Sequence, residues 1–214
     1  MSHRLRMMAG GAALVAGALI VLMEIGYSID TLRNGDAAFS EVAGTPLMMT
    51  ASTLGLLGTL IAIPAFMGIY RQQAEESGTF GLVSAGILGV GLALVLSVQW
   101  VMVFITPWMA ENAPAALDME SPGGTLDLGF MLSFITLSVG SVLFGISTLM
   151  SKTYTRWPAV ALILSGVTGF LPMELTFSAV FAGAAMIGYG VQLRHMLAAA
   201  EPESVTRATA APAT

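Results

Sequence analysis

Long runs of apolar residues, separated by short polar segments, dominate this chain. The clearest run is Thr79–Ile105, which contains 27 residues and no ionisable side chain. A hydrocarbon core of about 30 Å needs roughly 20 helical residues at 1.5 Å each, so this run is long enough to cross a bilayer. A barrel strand would alternate apolar and polar residues, whereas this run is apolar on every face. It therefore predicts a transmembrane helix.

The same pattern along the whole chain predicts an all-α bundle of six transmembrane helices. The predicted helices cover residues 7–27, 47–70, 79–105, 126–150, 157–171 and 174–192. Arg71–Gly78 is predicted to be a short charged loop, and Thr106–Thr125 the longest loop. Residues 1–197 would form the membrane domain. Residues 198–214 are rich in Ala, Glu, Pro, Ser and Thr, a composition that predicts a disordered cytoplasmic tail.

Basic residues are sorted to one side of this predicted membrane domain. With a cytoplasmic N-terminus, seven Lys and Arg residues lie inside: Arg4, Arg6, Arg71, Lys152, Arg156, Arg194 and Arg207. Only Arg33 lies outside. This is the positive-inside pattern, and it favours an even number of spans with both termini in the cytoplasm. The first apolar run also has features of a signal peptide, but its length favours an uncleaved span.

Composition excludes several classes of protein. The chain is 56% hydrophobic and 10% charged, with a mean hydropathy of +0.82, whereas about a quarter of the residues in a soluble globular protein are charged. It contains no Cys, which removes disulfides, thiolate nucleophiles and iron–sulfur ligation. We find no catalytic, phosphate-binding or nucleic-acid-binding motif. We therefore expect no cofactor, no metal, no nucleic-acid partner and no enzymatic activity.

Acidic residues collect on the predicted outer side. The predicted fifth helix would be only about 22 Å long, which would leave a recess at that side. We hypothesise that Glu24, Gln99, Asp127 and Glu174 border an outward-opening pocket for a cation, an amine or a proton. A carboxylate inside a membrane is costly and usually faces the bundle interior. The alternative is that Asp127 and Glu174 cap helix N-termini, while Glu24 snorkels or bonds to a neighbouring hydroxyl.

Glycines inside the apolar runs predict faces where helices pack closely. Gly10 and Gly17 share one face of the first helix, Gly86 and Gly89 lie in the third helix, and Gly145 lies in the fourth. Small residues let neighbouring backbones approach each other within a bilayer. We predict that these five glycines lie at helix–helix contacts.

Three stretches carry a resemblance to a known family. They are GIYRQQAEESGTFG (Gly68–Gly81), LDLGFMLSFITLSVGSVLFGISTLM (Leu126–Met150) and RWPAVALILSGVTGFLP (Arg156–Pro172). They resemble a broad group of bacterial six-helix integral membrane proteins classed as a domain of unknown function. The resemblance implies six helices in a bacterial inner membrane and transfers no site.

The sequence favours a non-enzymatic role in the cell membrane. The chain would be an accessory or scaffolding subunit, or a membrane protein that binds a small molecule or lipid. The alternative is a small transporter or channel that uses the outward-facing acidic pocket. Its expected partners are the lipid bilayer and either a larger membrane complex or further copies of the chain.

Overall fold

The computed structural model describes residues 3–119, 124–170 and 177–209. All regular structure within those ranges is helical. The helices are α1 (His3–Asn34), α2 (Phe39–Val42), α3 (Pro46–Phe104), α4 (Thr106–Asn112), α5 (Pro114–Leu117), α6 (Gly124–Ser151), α7 (Arg156–Thr168) and α8 (Ser178–Thr209). Three stretches are long and apolar enough to cross a membrane: Arg4–Asn34, Pro46–Asn112 and Gly124–Ser151. These stretches identify a helical membrane protein.

The longest helix, α3, is a hairpin of two rods. A methyl group added at Gly55 would lie 3.0 Å from Cδ of Gln99, although a straight helix would hold these residues about 66 Å apart. The chain therefore reverses between them. Gly78 is the reversal point, since its φ of 55° and ψ of −148° depart from the helix and fall in a region open essentially to glycine. We call residues 46–77 α3a and residues 79–104 α3b.

The long helices form a closed ring. Helix α1 packs against α3 and α8, α6 packs against α3 and α7, and α7 completes the ring by packing against α8. Gly58 contacts Ile20 on α1, whereas Leu88 lies against Gly140 on α6. The first half of α3 therefore faces α1 and the second half faces α6. Six rods surround one interior.

Reciprocal glycine contacts hold α1 against α8. A methyl group at Gly17 would lie 2.5 Å from the carbonyl oxygen of Gly183, and one at Gly190 would lie 2.8 Å from the carbonyl oxygen of Gly10. Since higher numbers on one helix meet lower numbers on the other, the two helices are antiparallel. Gly10 and Gly17 therefore lie at a contact between two helices, which is where the sequence analysis expected them.

The contact between α3b and α6 uses Gly91 and Gly140. A methyl group at Gly91 would lie 2.5 Å from Cα of Leu137. Gly145 lies against α7, where a methyl group would approach the carbonyl oxygen of Ala159 to 2.8 Å. Methyl groups at Gly86 and Gly89 would meet no described atom within 4 Å. Gly86 and Gly89 therefore make no close helix contact among the described residues of this chain, and their packing against another chain stays a prediction.

Several predicted loops are helical. Helix α1 continues to Asn34, and α3 runs through the predicted charged loop to Gly78. The predicted long loop contains α4 and α5, and α8 extends to Thr209 through most of the segment predicted to be disordered. The predicted boundary between the fifth and sixth helices falls in residues 171–176, outside the described residues.

The two ends of the ring are distinct. At one end, Asp118 accepts hydrogen bonds from the backbone N–H and the hydroxyl of Ser40, at 2.8 and 2.7 Å. At the other end, the hydroxyl of Thr153 donates to Glu76 beside the Gly78 reversal, at 2.9 Å. We call these the Ser40 end and the Gly78 end.

Candidate functional site

A cavity of about 150 Å³ lies inside the ring. Helices α1, α3, α6, α7 and α8 all contribute to its wall. Most of the lining is apolar, and the polar side chains in it are hydroxyls and one amide: Thr59, Gln99, Ser138, Ser141, Ser165 and Ser178. Among the described residues that line the cavity, none is charged. The cavity can therefore accept a small neutral molecule without placing it next to a buried charge.

Gln99 supplies the amide of this cavity wall. Its Nε2 donates to Sδ of Met23 at 3.5 Å, and its buried Oε1 has no partner among the described residues. Glycine at position 55 leaves room for this side chain, since a methyl group there would lie 3.0 Å from Oε1. A buried carbonyl oxygen without a donor costs free energy. Gln99 thus brings an acceptor without a described partner to the cavity wall.

The structure does not place Glu24 or Asp127 in the lining of this cavity. Glu24 and Asp127 are both half-buried, and neither belongs to the cavity lining. Met23, the neighbour of Glu24, does line the cavity, and consecutive helical residues point about 100° apart. Glu174 lies outside the described residues. Of the three predicted pocket residues that the structure describes, only Gln99 lies in the cavity wall.

Asp127 instead occupies the first turn of α6. A carboxylate is favourable there because the helix dipole presents partial positive charge at the N-terminus. This position agrees with the capping alternative for Asp127.

A second group of polar side chains lies at the Gly78 end and was not predicted. We call Gln73, Ser77, Ser147 and Ser151 the Gln73 cluster. Gln73 and Ser147 are fully buried, and the hydroxyl of Ser151 donates to Oε1 of Gln73 at 3.4 Å. Nε2 of Gln73 and the hydroxyl oxygens of Ser77 and Ser147 are buried with no partner among the described residues.

Sequence reasoning missed this cluster because it assigned Arg71–Gly78 to a solvated loop. A signal was present in the spacing. Gln73 follows Phe66 by seven residues, and Ser151 follows Phe144 by seven residues. A spacing of seven returns to the same face of a helix after two turns, so Gln73 shares the buried face of Phe66.

The chain matches no family model, and no curated protein or solved structure is significantly similar to it. The resemblance to a six-helix family of unknown function therefore stays a prediction.

Proposed function

We propose that this chain is a six-span protein of a bacterial cytoplasmic membrane that binds a small neutral molecule, or the end of a lipid, in its central cavity. The observation that carries the proposal is the buried Gln99 Oε1, which has no partner among the described residues, in a cavity wall whose described residues carry no charge. A bound molecule with one N–H or O–H donor would satisfy that oxygen while its apolar part contacts the surrounding side chains. An apolar cavity of about 150 Å³ is large enough for a benzene-sized molecule.

The antiparallel ring supports six spans. Residues 46–77 and 79–104 are 32 and 26 residues long, so each half of α3 exceeds the roughly 20 residues that a span needs. Helix α7 has 13 residues, about 20 Å, and would cross only part of the hydrocarbon core by itself. The basic residues Arg6, Arg71 and Lys152 lie towards the Gly78 end, which would face the cytoplasm.

A binding role fits the cavity better than catalysis. Hydroxyl groups become nucleophiles when an adjacent base takes their proton. The described cavity lining contains Ser and Thr but neither His, Lys, Asp nor Glu. In this function the Ser138 and Ser141 hydroxyls form hydrogen bonds with the bound molecule.

Native mass spectrometry of the protein in lipid nanodiscs tests this proposal. The wild-type protein should carry a bound small molecule or lipid that resists gentle activation. Ala182→Phe places a ring in the cavity wall and should remove that mass. Val160→Phe, on an exposed position of α7, is the matched control and should retain it.

Equal retention by both variants would contradict binding in the cavity. A wild-type protein without any bound mass would also contradict it. A stoichiometric larger protein in the same spectra would instead identify the accessory role and direct attention to that partner.

A further inference from the structure

Helices α3a and α6 meet in regularly spaced layers along the interior of the ring. The rings of Phe66 and Phe144 have centroids 5.6 Å apart, and seven residues later Gln73 meets Ser151. Since both numbers rise together, the two helices run in the same direction. Seven helical residues span about 10 Å, so the aromatic and polar layers are about two helical turns apart.

The central cavity continues the same series in the other direction. Thr59 lies seven residues before Phe66, and Leu137 lies seven residues before Phe144. Both line the cavity, and Phe66 itself belongs to the cavity wall. The order along the interior is therefore cavity, Phe66–Phe144 pair, and Gln73 cluster.

The Phe66–Phe144 pair lies between the cavity and the Gln73 cluster. The rings meet edge to face at 86°, an arrangement that aromatic pairs prefer. Phe144 is completely buried and Phe66 is 9% exposed. A layer of packed aromatic and aliphatic side chains excludes water, as hydrophobic constrictions do in channels.

The Gln73 cluster beyond this pair holds buried polar groups that the described residues leave without hydrogen bonds. Three of its buried polar atoms lack a partner among the described residues. Leaving such groups unsatisfied is costly, and buried water is the usual partner of polar atoms that protein groups leave unpaired. The cluster can form hydrogen bonds with water or with another small molecule that both donates and accepts.

We propose that the cavity, the Phe66–Phe144 pair and the Gln73 cluster form one permeation path for small neutral polar molecules, held closed by the aromatic pair. This inference rests on the proposed function, since the cavity would be the outer binding site of the path. The polar side chains of the described cavity lining and of the Gln73 cluster are hydroxyls and amides. They can replace the hydrogen bonds of a polyol or an amide, whereas an ion would need compensation for its full charge.

Glycerol flux into proteoliposomes tests the path. Stopped-flow light scattering should show wild-type permeability close to that of protein-free vesicles. The double variant that carries Phe66→Ala and Phe144→Ala should have about tenfold higher glycerol permeability, because the two changes remove the hydrophobic constriction. Phe104→Ala, at an exposed position on α3b, is the control and should leave permeability at the wild-type level. An unchanged permeability in a double variant with wild-type helix content and a monodisperse elution profile would overturn the proposal.

Single cysteines in this cysteine-free chain separate the two proposals. Ser141→Cys lies in the cavity wall, and Ser147→Cys lies in the Gln73 cluster. A membrane-impermeant methanethiosulfonate added outside should modify Cys at position 141 in an otherwise wild-type chain. It should modify Cys at position 147 only when Phe66→Leu or Phe66→Ala is also present.

The outcomes of this labelling differ for the two ideas. No modification at position 141 would overturn the permeation path, whose outer end must be open to the reagent, and would leave binding in the cavity to be decided by the nanodisc measurement. Alternatively, Cys at position 141 reacts while Cys at position 147 stays unreactive, whether or not Phe66 is replaced. That result would be consistent with the binding site and would overturn the permeation path. The conservative Phe66→Leu replacement keeps the test available if the double alanine variant does not fold.

Discussion

The α-hydrogens of Gly91 and Gly140 are part of the contact surface between α3b and α6. Replacing Gly91 with Ala should destabilise the protein, because the new methyl group would lie 2.5 Å from Cα of Leu137. That neighbour is backbone, so the helices themselves must separate. Overpacking of this kind costs about 1–3 kcal/mol. Thermal unfolding in detergent, followed by helix content, should show a clear decrease in Tm.

Gly86→Ala provides the matched control in the same helix. A methyl group at Gly86 would meet no described atom within 4 Å, and Ala has the higher helix propensity. The Tm of this variant should equal or exceed that of the wild-type protein. A loss of stability as large as that of Gly91→Ala would show that the Gly86 face is also packed, against lipid or against another copy of the chain.

The failure to distinguish Gly86 from Gly91 in the sequence has a physical reason. Thr79–Ile105 is apolar on every face, so no contrast between polar and apolar residues marks the buried side of the helix. Position 86 lies about 200° around the helix from the fully packed Leu88. Gly10 and Gly17 were easier to identify because their spacing of seven repeats one face within a single helix.

Hydrogen bonds at the Ser40 end join α2 to the segment that follows α5. Two bonds from Ser40, one from its hydroxyl and one from its backbone N–H, hold the pKa of the Asp118 carboxyl below its usual value. Because the pKa of Asp118 is lower in the folded protein than its unfolded value of about 3.9, the contact stabilises the folded arrangement at pH values above about 3.9. That stabilisation is lost as the pH falls through the lower folded pKa. The contact should therefore be intact at neutral pH and in mild acid.

Asp118→Asn should loosen this contact at neutral pH. The amide keeps the shape of the carboxyl group but gives up the charge-assisted hydrogen bonds, which are the stronger kind. Hydrogen–deuterium exchange of the Ser40 backbone amide should become faster in the variant at pH 7. In the wild-type protein, an increase of the intrinsic-rate-corrected exchange should appear only below about pH 4.

Glu111→Gln is the control at the same end of the molecule. Glu111 is exposed and lies in α4, so the same change from acid to amide should leave exchange at Ser40 unaltered. Equal exchange in the wild-type and Asp118→Asn proteins would mean that the two hydrogen bonds contribute nothing to order at this end.

Helix existence was predictable from apolar runs, but helix ends were not. Hydropathy detects where a chain leaves the hydrocarbon core, whereas a helix ends where its backbone hydrogen bonds end. The segment RQQAEES before Gly78 is polar yet rich in the helix-favouring residues Gln, Ala and Glu. It continues α3a to a one-residue reversal. The same distinction explains why α1 extends beyond residue 27 and α8 beyond residue 192.

The central cavity depends on contacts between helices that are distant in the chain, so only part of it was predictable. Gln99 was identifiable as an isolated amide in an apolar helix. The packing of Met23, Gly55 and Gln99 brings three segments together, and the direction of a half-buried side chain such as Glu24 depends on that packing. Glu24 and Asp127 lie outside the cavity lining, whereas Gln99 lies in it beside several hydroxyl groups.

At the scale of the whole molecule, the closed antiparallel ring makes a prediction about topology. If each of the six rods crosses the membrane, the reversal at Gly78 and the turn at residues 152–155 face the cytoplasm, and so do both termini. Fusions ending near residues 77, 153 and 209 should give fluorescent protein that folds in the cytoplasm. A fusion ending near residue 118 should give active alkaline phosphatase on the outer side.

The fusion near residue 209 decides between an even and an odd number of spans. Phosphatase activity there would place the two termini on opposite sides, and the short α7 would then be the helix that fails to cross. Fluorescence there, together with phosphatase activity near residue 118, would favour six spans. In that arrangement the Gln73 cluster faces the cytoplasm and the central cavity faces outward. The topology measurement therefore determines the side of the membrane to which the methanethiosulfonate reagent should be added.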